Sequence, residues 1–196
     1  MADAPHRIVF CGVGALGSTA AVLCRNLEAT LVFLDFDRVE SKNLLAQAYV
    51  KQSVGKNKAE ALKLQFLNFH GVKAEAFGVR VTSENVEQLN KGATLIVDCF
   101  DNVASRKLLS DYARKAAVPL LHCAVSGDGT FGLVRWDERF TPDAEDVAGQ
   151  ATCEGGEHLP LIGLLGAAIA RTIQDFLKGG QRRDSMVGLA AVTPQS

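Results

Sequence analysis

From residue 12 the chain reads Gly12-Val13-Gly14-Ala15-Leu16-Gly17, a spacing that lets a backbone approach a phosphate. Glycines remove the Cβ atoms that would hold an anion away, and a helix starting there offers unpaired N–H groups and the positive end of its dipole. The same run also suits a tight turn with close strand–helix packing, so the flanking elements decide its meaning. Asp35 lies 18 positions after Gly17, where a carboxylate can accept both ribose hydroxyls of an adenosine nucleotide. The turn and Asp35 together point to a nucleotide site, and alone they would suggest NAD. Asp37 reads equally well as a solvated surface carboxylate.

For these residues to converge, strands must end beside them. Short apolar or β-branched runs alternate with longer helical patterns, the mark of βαβ units. Strands are predicted at Ile8–Cys11, Thr30–Leu34, Val72–Phe77, Leu95–Cys99 and Leu120–Ala124. Helices are predicted at Ala15–Leu27, Asn57–Phe69, Ser83–Leu89, Asn102–Ala117 with Asp101 as its cap, and Leu159–Lys178, where Gly163 and Gly166 permit close packing. Only a Gly-Asp-Gly turn separates Leu120–Ala124 from Thr130–Trp136, too little for a parallel crossover, so that pair is expected to be antiparallel. The fold class is α/β: a Rossmann-like, mostly parallel sheet flanked by helices, with antiparallel pairing toward the C-terminus. Residues 137–158 turn polar, acidic and Gly-rich and are expected to form a mobile loop. The tail after Gly179 is expected to be irregular or a short edge strand.

Composition narrows the function. The 196 residues carry 21 Lys plus Arg against 22 Asp plus Glu, with 47% apolar residues, which suits one soluble domain over residues 1–196. A net charge of -1 without a basic stripe speaks against nucleic acid or an anionic membrane. The N-terminal residues lack the apolar core of a signal peptide, and the longest apolar run stops at Arg171, short of a membrane span. The five cysteines, Cys11, Cys24, Cys99, Cys123 and Cys153, include no CxxC pair. Neither a disulfide framework nor a zinc site is expected, and the chain reads as reduced and cytoplasmic. The first four fall in predicted strands or a helix and read as small core residues. His122, at a strand end, suits either the nucleotide pocket or a satisfied core position, whereas Trp136 reads as packing.

Beyond the second strand the chain departs from a dehydrogenase. Asp35-Phe36-Asp37-Arg38-Val39, Asn43-Leu44 with Gln47, Val54-Gly55-Lys56-Asn57-Lys58, and Asp98-Cys99-Phe100-Asp101-Asn102 with Arg106 come one after another in order. In this the chain resembles the ThiF/MoeB/HesA family of adenylyltransferases related to ubiquitin-activating enzymes. The resemblance runs from Arg7 to about Lys178 and takes in the entry to the closing helix, Leu159 to Gly166.

The resemblance implies ATP and magnesium as cofactors and adenylation of the C-terminal glycine carboxylate of a ubiquitin-like or sulfur-carrier β-grasp protein ending in Gly-Gly, by a homodimer. Gly12, Gly14, Gly17, Asp35, Asn43, Lys58 and Asn102 would hold the nucleotide. A carboxylate attacking an α-phosphate needs its repulsion neutralised, which Lys58 would do, while Asp101 would hold the magnesium. Cys153, six residues before Leu159, falls close to where related enzymes carry a cysteine that forms a persulfide or thioester. The chain departs from the family pattern at Ala46, where an Arg usually grips the distal phosphates, and in the leading helix and zinc cysteine pairs, which it does not display. Arg38, Lys42 or Lys51 are candidate substitutes for the missing cation. These departures imply slow adenylation by the chain alone, and they keep open a second reading, a nucleotide-binding scaffold that docks a β-grasp protein or an active paralogue.

Overall fold

The structure is a computed structural model describing residues 6–141 and 156–189. Its centre is a seven-stranded sheet in the order β3-β2-β1-β4-β5-β6-β7, built from β1 (His6–Cys11), β2 (Ala29–Leu34), β3 (Glu75–Phe77), β4 (Leu95–Asp98), β5 (Leu120–Val125), β6 (Phe131–Trp136) and β7 (Ser185–Gly188). The first five strands pair in parallel, whereas β6 runs antiparallel to β5 and to β7. Helices α1 (Ala15–Leu23), α2 (Lys58–His70), α3 (Val86–Leu89) and α4 (Val103–Ala116) supply the crossovers, and α5 (Leu159–Gly179) lies between β6 and β7 in sequence.

Strand alternation divides the core into two layers. Phe10, Phe33, Val97 and Leu121 pack with residues of α1, α2 and α5, while Val9, Val32, Ile96 and Leu120 pack with α3 and α4 on the other face. Helix α5 is long and apolar enough, by length and composition, to cross a membrane. Its apolar face is nevertheless spent in the core: Leu161, Ile162, Leu165, Ile169 and Ile173 are fully buried, each contributing about 1.5–3 kcal/mol. Of Gly163 and Gly166 only Gly166 is packed closely, since a Cβ there would stand 2.7 Å from Thr19 Cγ2, whereas Gly163 faces open space.

Most departures from the sequence reading are at element ends. Helix α1 stops at Leu23, not Leu27, where Cys24 caps it. Strand β3 begins at Glu75, not Val72, because left-handed Gly71 closes α2 and the Val72 N–H still donates to the Phe66 carbonyl. Helix α3 begins at Val86, after a turn in which Asn85 Oδ1 accepts from Thr82 N. Asn102, not Asp101, caps α4, accepting from Ser105 N at 2.9 Å. The expected loop from Asp137 opens instead with a 3-10 turn, Asp137–Arg139, whose Asp137 is buried.

The turn after β1 tolerates little change. A Cβ on Gly17 would overlap the carbonyl oxygen of Gly12, whereas one on Gly14 would meet nothing within 4 Å. Gly17→Ala is therefore expected to cost about 1–3 kcal/mol from overpacking and lower the Tm by several degrees. Gly14→Ala should melt like the parent in the same calorimetric comparison.

Candidate nucleotide-binding site

From β1 the chain builds outward through β2 to β3, and from β4 outward through β5, so the carboxyl ends of β1 and β4 flank the reversal of strand order. In open α/β sheets the ligand crevice lies there. The glycine turn leaves β1 at this point, held by Gly12 N donating to Leu34 O and by Cys99 N donating to Cys11 O, each at 2.8 Å. Gly12 adopts φ +85°, and a Cβ on it would stand 3.0 Å from the Cys99 carbonyl oxygen. Gly14 caps α1 without a side-chain acceptor, and the first turn holds no acidic residue. The N–H groups there are left to an anion.

Asp35, 7% exposed, braces this turn from the end of β2. Its Oδ2 accepts from Val13 N and its Oδ1 from Asp37 N, both at 2.9 Å. Burial pushes the carboxyl pKa up, against the opposing pull of those two N–H donors and nearby Lys58. An ionised carboxylate has about four acceptor positions, so two remain for ribose hydroxyls. Asn57 fastens the next element: its Nδ2 donates to the carbonyls of Asp35 and Asp37, while its Oδ1 caps α2 through Glu60 N.

That cap delivers Lys58 to the first position of α2, 9% exposed, with Nζ 3.3 Å from Asp37 Oδ2. A buried ammonium facing a half-exposed carboxylate is a cation with capacity left for an anionic ligand. Asn43 lies in the 3-10 turn Ser41–Leu45, where its Oδ1 accepts from Glu40 N at 2.8 Å; the amide NH2 is what remains for a phosphate. Gln47 Oε1 is buried without a protein hydrogen-bond partner. These features fit a nucleoside triphosphate.

Across the crevice, Asp101 is exposed and relieved of capping duty by Asn102. Among the described residues no group of three or more His, Cys, Asp or Glu could hold a metal ion. A magnesium ion at Asp101 would accordingly take its other ligands from phosphate oxygens and water, its usual mode. Arg106 is committed to the fold, donating to the carbonyls of Phe100 and Cys123.

Behind this turn lies a polar network that sequence reasoning missed. Asp98 Oδ1 accepts from Phe100 N at 3.0 Å, and its Oδ2 meets His122 Nδ1 at 2.7 Å. His122 Nε2 lies 3.0 Å from Asp137 Oδ1, which also accepts from Ser110 Oγ, and Arg114 Nε donates to Asp137 Oδ2 at 2.6 Å. Phe140 stacks on the imidazole at 3.8 Å between ring centroids. His122 is thus a satisfied core residue. No spacing in the sequence joins Asp98, Ser110, Arg114, His122 and Asp137; only the Asp98↔His122 register of β4 and β5 does.

The structure therefore gathers Gly12, Gly14, Gly17, Asp35 and Lys58 around the ends of β1 and β2, with Asn43 in the 3-10 turn that follows β2 and Asp101 and Asn102 beyond β4. Cys153 lies outside the described residues. Ala46, at the position of the family's phosphate-gripping Arg, is 2% exposed and packed into the larger core cluster. Of the candidate substitutes, Arg38 donates to the Gly55 carbonyl and Lys42 pairs with Glu40 at 3.8 Å.

The sheet order and flanking helices are those of a Rossmann-like α/β protein. Residues 4–179 match the ThiF family, and the chain belongs to that family. It is 31% identical over 171 residues to the molybdopterin-synthase adenylyltransferase of Salmonella typhimurium, covering 82% of this chain and 68% of that one. It is 30% identical over 179 residues to the adenylyltransferase and sulfurtransferase MOCS3 of Caenorhabditis briggsae, covering 82% of this chain and 42% of the relative. The chain thus spans about two fifths of the length of relatives of that kind. Among solved structures, E. coli MccB superposes with a TM-score of 0.76 at 15% identity, over 97% of this chain and 61% of that one. That likeness shows the shared fold.

Burial alone would raise the Asp137 pKa, but hydrogen bonds from Arg114, Ser110 and His122 outweigh it and hold the carboxyl below its usual range. A depressed folded pKa stabilises the protein above the unfolded value, about 3.9, and that contribution is lost as pH falls through the folded one. Asp137→Asn should lower stability at pH 7 by about 1–3 kcal/mol and lose less than the parent between pH 5 and pH 3. Denaturant melts across that range read both effects.

Proposed function

We propose that this chain catalyses the ATP-dependent adenylation of the C-terminal carboxylate of a ubiquitin-like or sulfur-carrier β-grasp protein ending in Gly-Gly. The observation that carries this reading is the buried Lys58 ammonium beside Asp37, set at the same sheet end as an uncapped helix N-terminus and an exposed Asp101. A dehydrogenase would need neither Lys58 nor Asp101. The relatives named as adenylyltransferases of sulfur-carrier and molybdopterin-synthase systems support it, as does a solved fold relative described with ATP.

In this reading Asp35 accepts the ribose hydroxyls and Gly12, Gly14 and Gly17 let the phosphates approach the backbone at the start of α1. Asn43 and Asn102 offer amide groups to the nucleotide. Lys58 offsets the repulsion between the incoming carboxylate and the α-phosphate, and Asp101 holds magnesium, which when bound screens phosphate charge. The enzyme works as a cytoplasmic homodimer, and Cys153 receives the activated acyl group after adenylation. A second reading, a nucleotide-binding subunit with weak catalysis that docks a β-grasp protein or an active paralogue, is favoured by the apolar burial of Ala46.

Pyrophosphate exchange with a Gly-Gly-terminated partner separates the two: exchange that depends on magnesium supports the enzyme, and nucleotide binding without exchange supports the scaffold. Asp101→Ala and Lys58→Ala should each lower exchange by about 10²–10³-fold with little change in melting temperature. NAD binding as tight as ATP binding and indifferent to magnesium would sink both readings.

If transfer comes after adenylation, a thiol-sensitive adduct with the partner should form on a non-reducing gel and vanish in Cys153→Ala while exchange persists. An adduct that survives that substitution would place the nucleophile elsewhere.

A further inference from the structure

The parallel register of β4 and β5 pairs Val97 with Leu121 and Asp98 with His122; Cys99 is the residue that follows Asp98 at the end of β4, and Cys123 is the residue that follows His122 within β5. Both belong to the sheet face of Val97 and Leu121, packed in the same core cluster. Neighbouring strands lie about 4.8 Å apart, inside the Cα separation of about 4.4–6.8 Å that a disulfide spans. Both thiols are free, and Cys99 packs against the core cluster that holds Cys123.

Their accessibilities differ in a way that matters for chemistry. Cys11, Cys24 and Cys123 are buried, whereas Cys99 is partly exposed. Cys99 also underlies the glycine turn: its Cβ is 3.4 Å from where a Cβ on Gly17 would stand, and its carbonyl lies against Gly12. A solvent oxidant therefore reaches Cys99 before the other three, at the floor of the nucleotide crevice. Cys11 cannot compete as a partner because it belongs to the opposite sheet face.

We propose that Cys99 and Cys123 form a redox-sensitive dithiol whose disulfide closes beneath the glycine turn and weakens nucleotide binding. A peroxide supplies the oxidising equivalents. The Cys99 sulfur attacks the peroxide, the O–O bond breaks, and a sulfenic acid and one water form. The Cys123 thiol then displaces hydroxyl from that sulfur, giving the S–S bond and a second water, so one peroxide is reduced and two thiols are oxidised. Closure draws Cys99 toward β5 and away from Gly17, disturbing the turn that meets the phosphates. Disulfides in reducing compartments are typically transient and sensing, and this one sits where it would act on ligand binding. The assignment of the disulfide is independent of the proposed activity; its effect on affinity rests on the nucleotide reading.

The test treats the native protein with hydrogen peroxide and counts free thiols after denaturation, then maps disulfides by non-reducing digestion and mass spectrometry. Expected is a fall from five free thiols to three, with a Cys99–Cys123 peptide pair, reversed by dithiothreitol. ATP affinity measured calorimetrically should drop at least tenfold in the oxidised protein and recover on reduction. Cys123→Ser should abolish the disulfide and leave Cys99 as a sulfenic or over-oxidised species. A pair linking Cys99 to Cys24 or Cys153, or all five thiols surviving, would overturn the assignment. A mapped Cys99–Cys123 bond with unchanged ATP affinity would overturn the control of binding, and a reduced protein that does not bind ATP would instead overturn the nucleotide reading and that control with it.

Discussion

The Asp35 carboxylate is the constraint around which this site is assembled. One oxygen holds Val13 N and the other holds Asp37 N, so a single buried group sets both the glycine turn after β1 and the chain's exit from β2. Ionising a carboxylate at 7% exposure costs free energy, visible as a pKa pushed up by burial. The two N–H donors offset that cost, and they would be costly to leave unpaired in their turn. The exit from β2 then determines where Asn57 can bridge, and Asn57 determines where α2 starts and Lys58 stands.

The other half of the crevice depends on a different balance. Asp98 is fully buried, and so, nearly, is His122, and isolated charges in such positions would be expensive. Here each carboxylate in the chain of contacts has a donor besides the imidazole it touches: Phe100 N donates to Asp98, whose other oxygen meets His122 Nδ1, and Ser110 and Arg114 donate to Asp137, which meets His122 Nε2. The network ties the turn bearing Asp101 to the 3-10 turn after β6, and Phe140 covers it. Asp101 itself stays outside, exposed and uncommitted to the helix cap.

Much of this was legible in the sequence. The alternating runs, the glycine turn, the antiparallel step after Gly127-Asp128-Gly129 and the edge strand in the tail all appear in the structure, because hydrophobic period and turn chemistry are local properties. Element ends were less legible. Whether Asp101 or Asn102 caps α4, and whether α1 continues past Leu23, depends on which backbone groups find partners at the last turn. Asp137 read as the start of a polar loop, since nothing near it in the chain announces that Arg114 and His122 wait for it.

The sequence by itself determined the order of strands and helices, and with it that Gly12 to Gly17, Asp35, Lys58 and Asp101 would come after strand ends. Those features rest on side-chain period, glycine and caps within a few residues of each other. Only the tertiary structure decided which residues became neighbours across the sheet. Pairing β1 with β4 put the glycine turn beside Cys99, and pairing β4 with β5 put Asp98 against His122. It also turned Ala46 inward, into the core and away from an open phosphate contact. The physical reason is that register, strand order and burial are settled by long-range packing and hydrogen bonding, whose partners are 24 residues apart in the Asp98–His122 pair and 87 apart where Arg7 N meets Thr94 Oγ1.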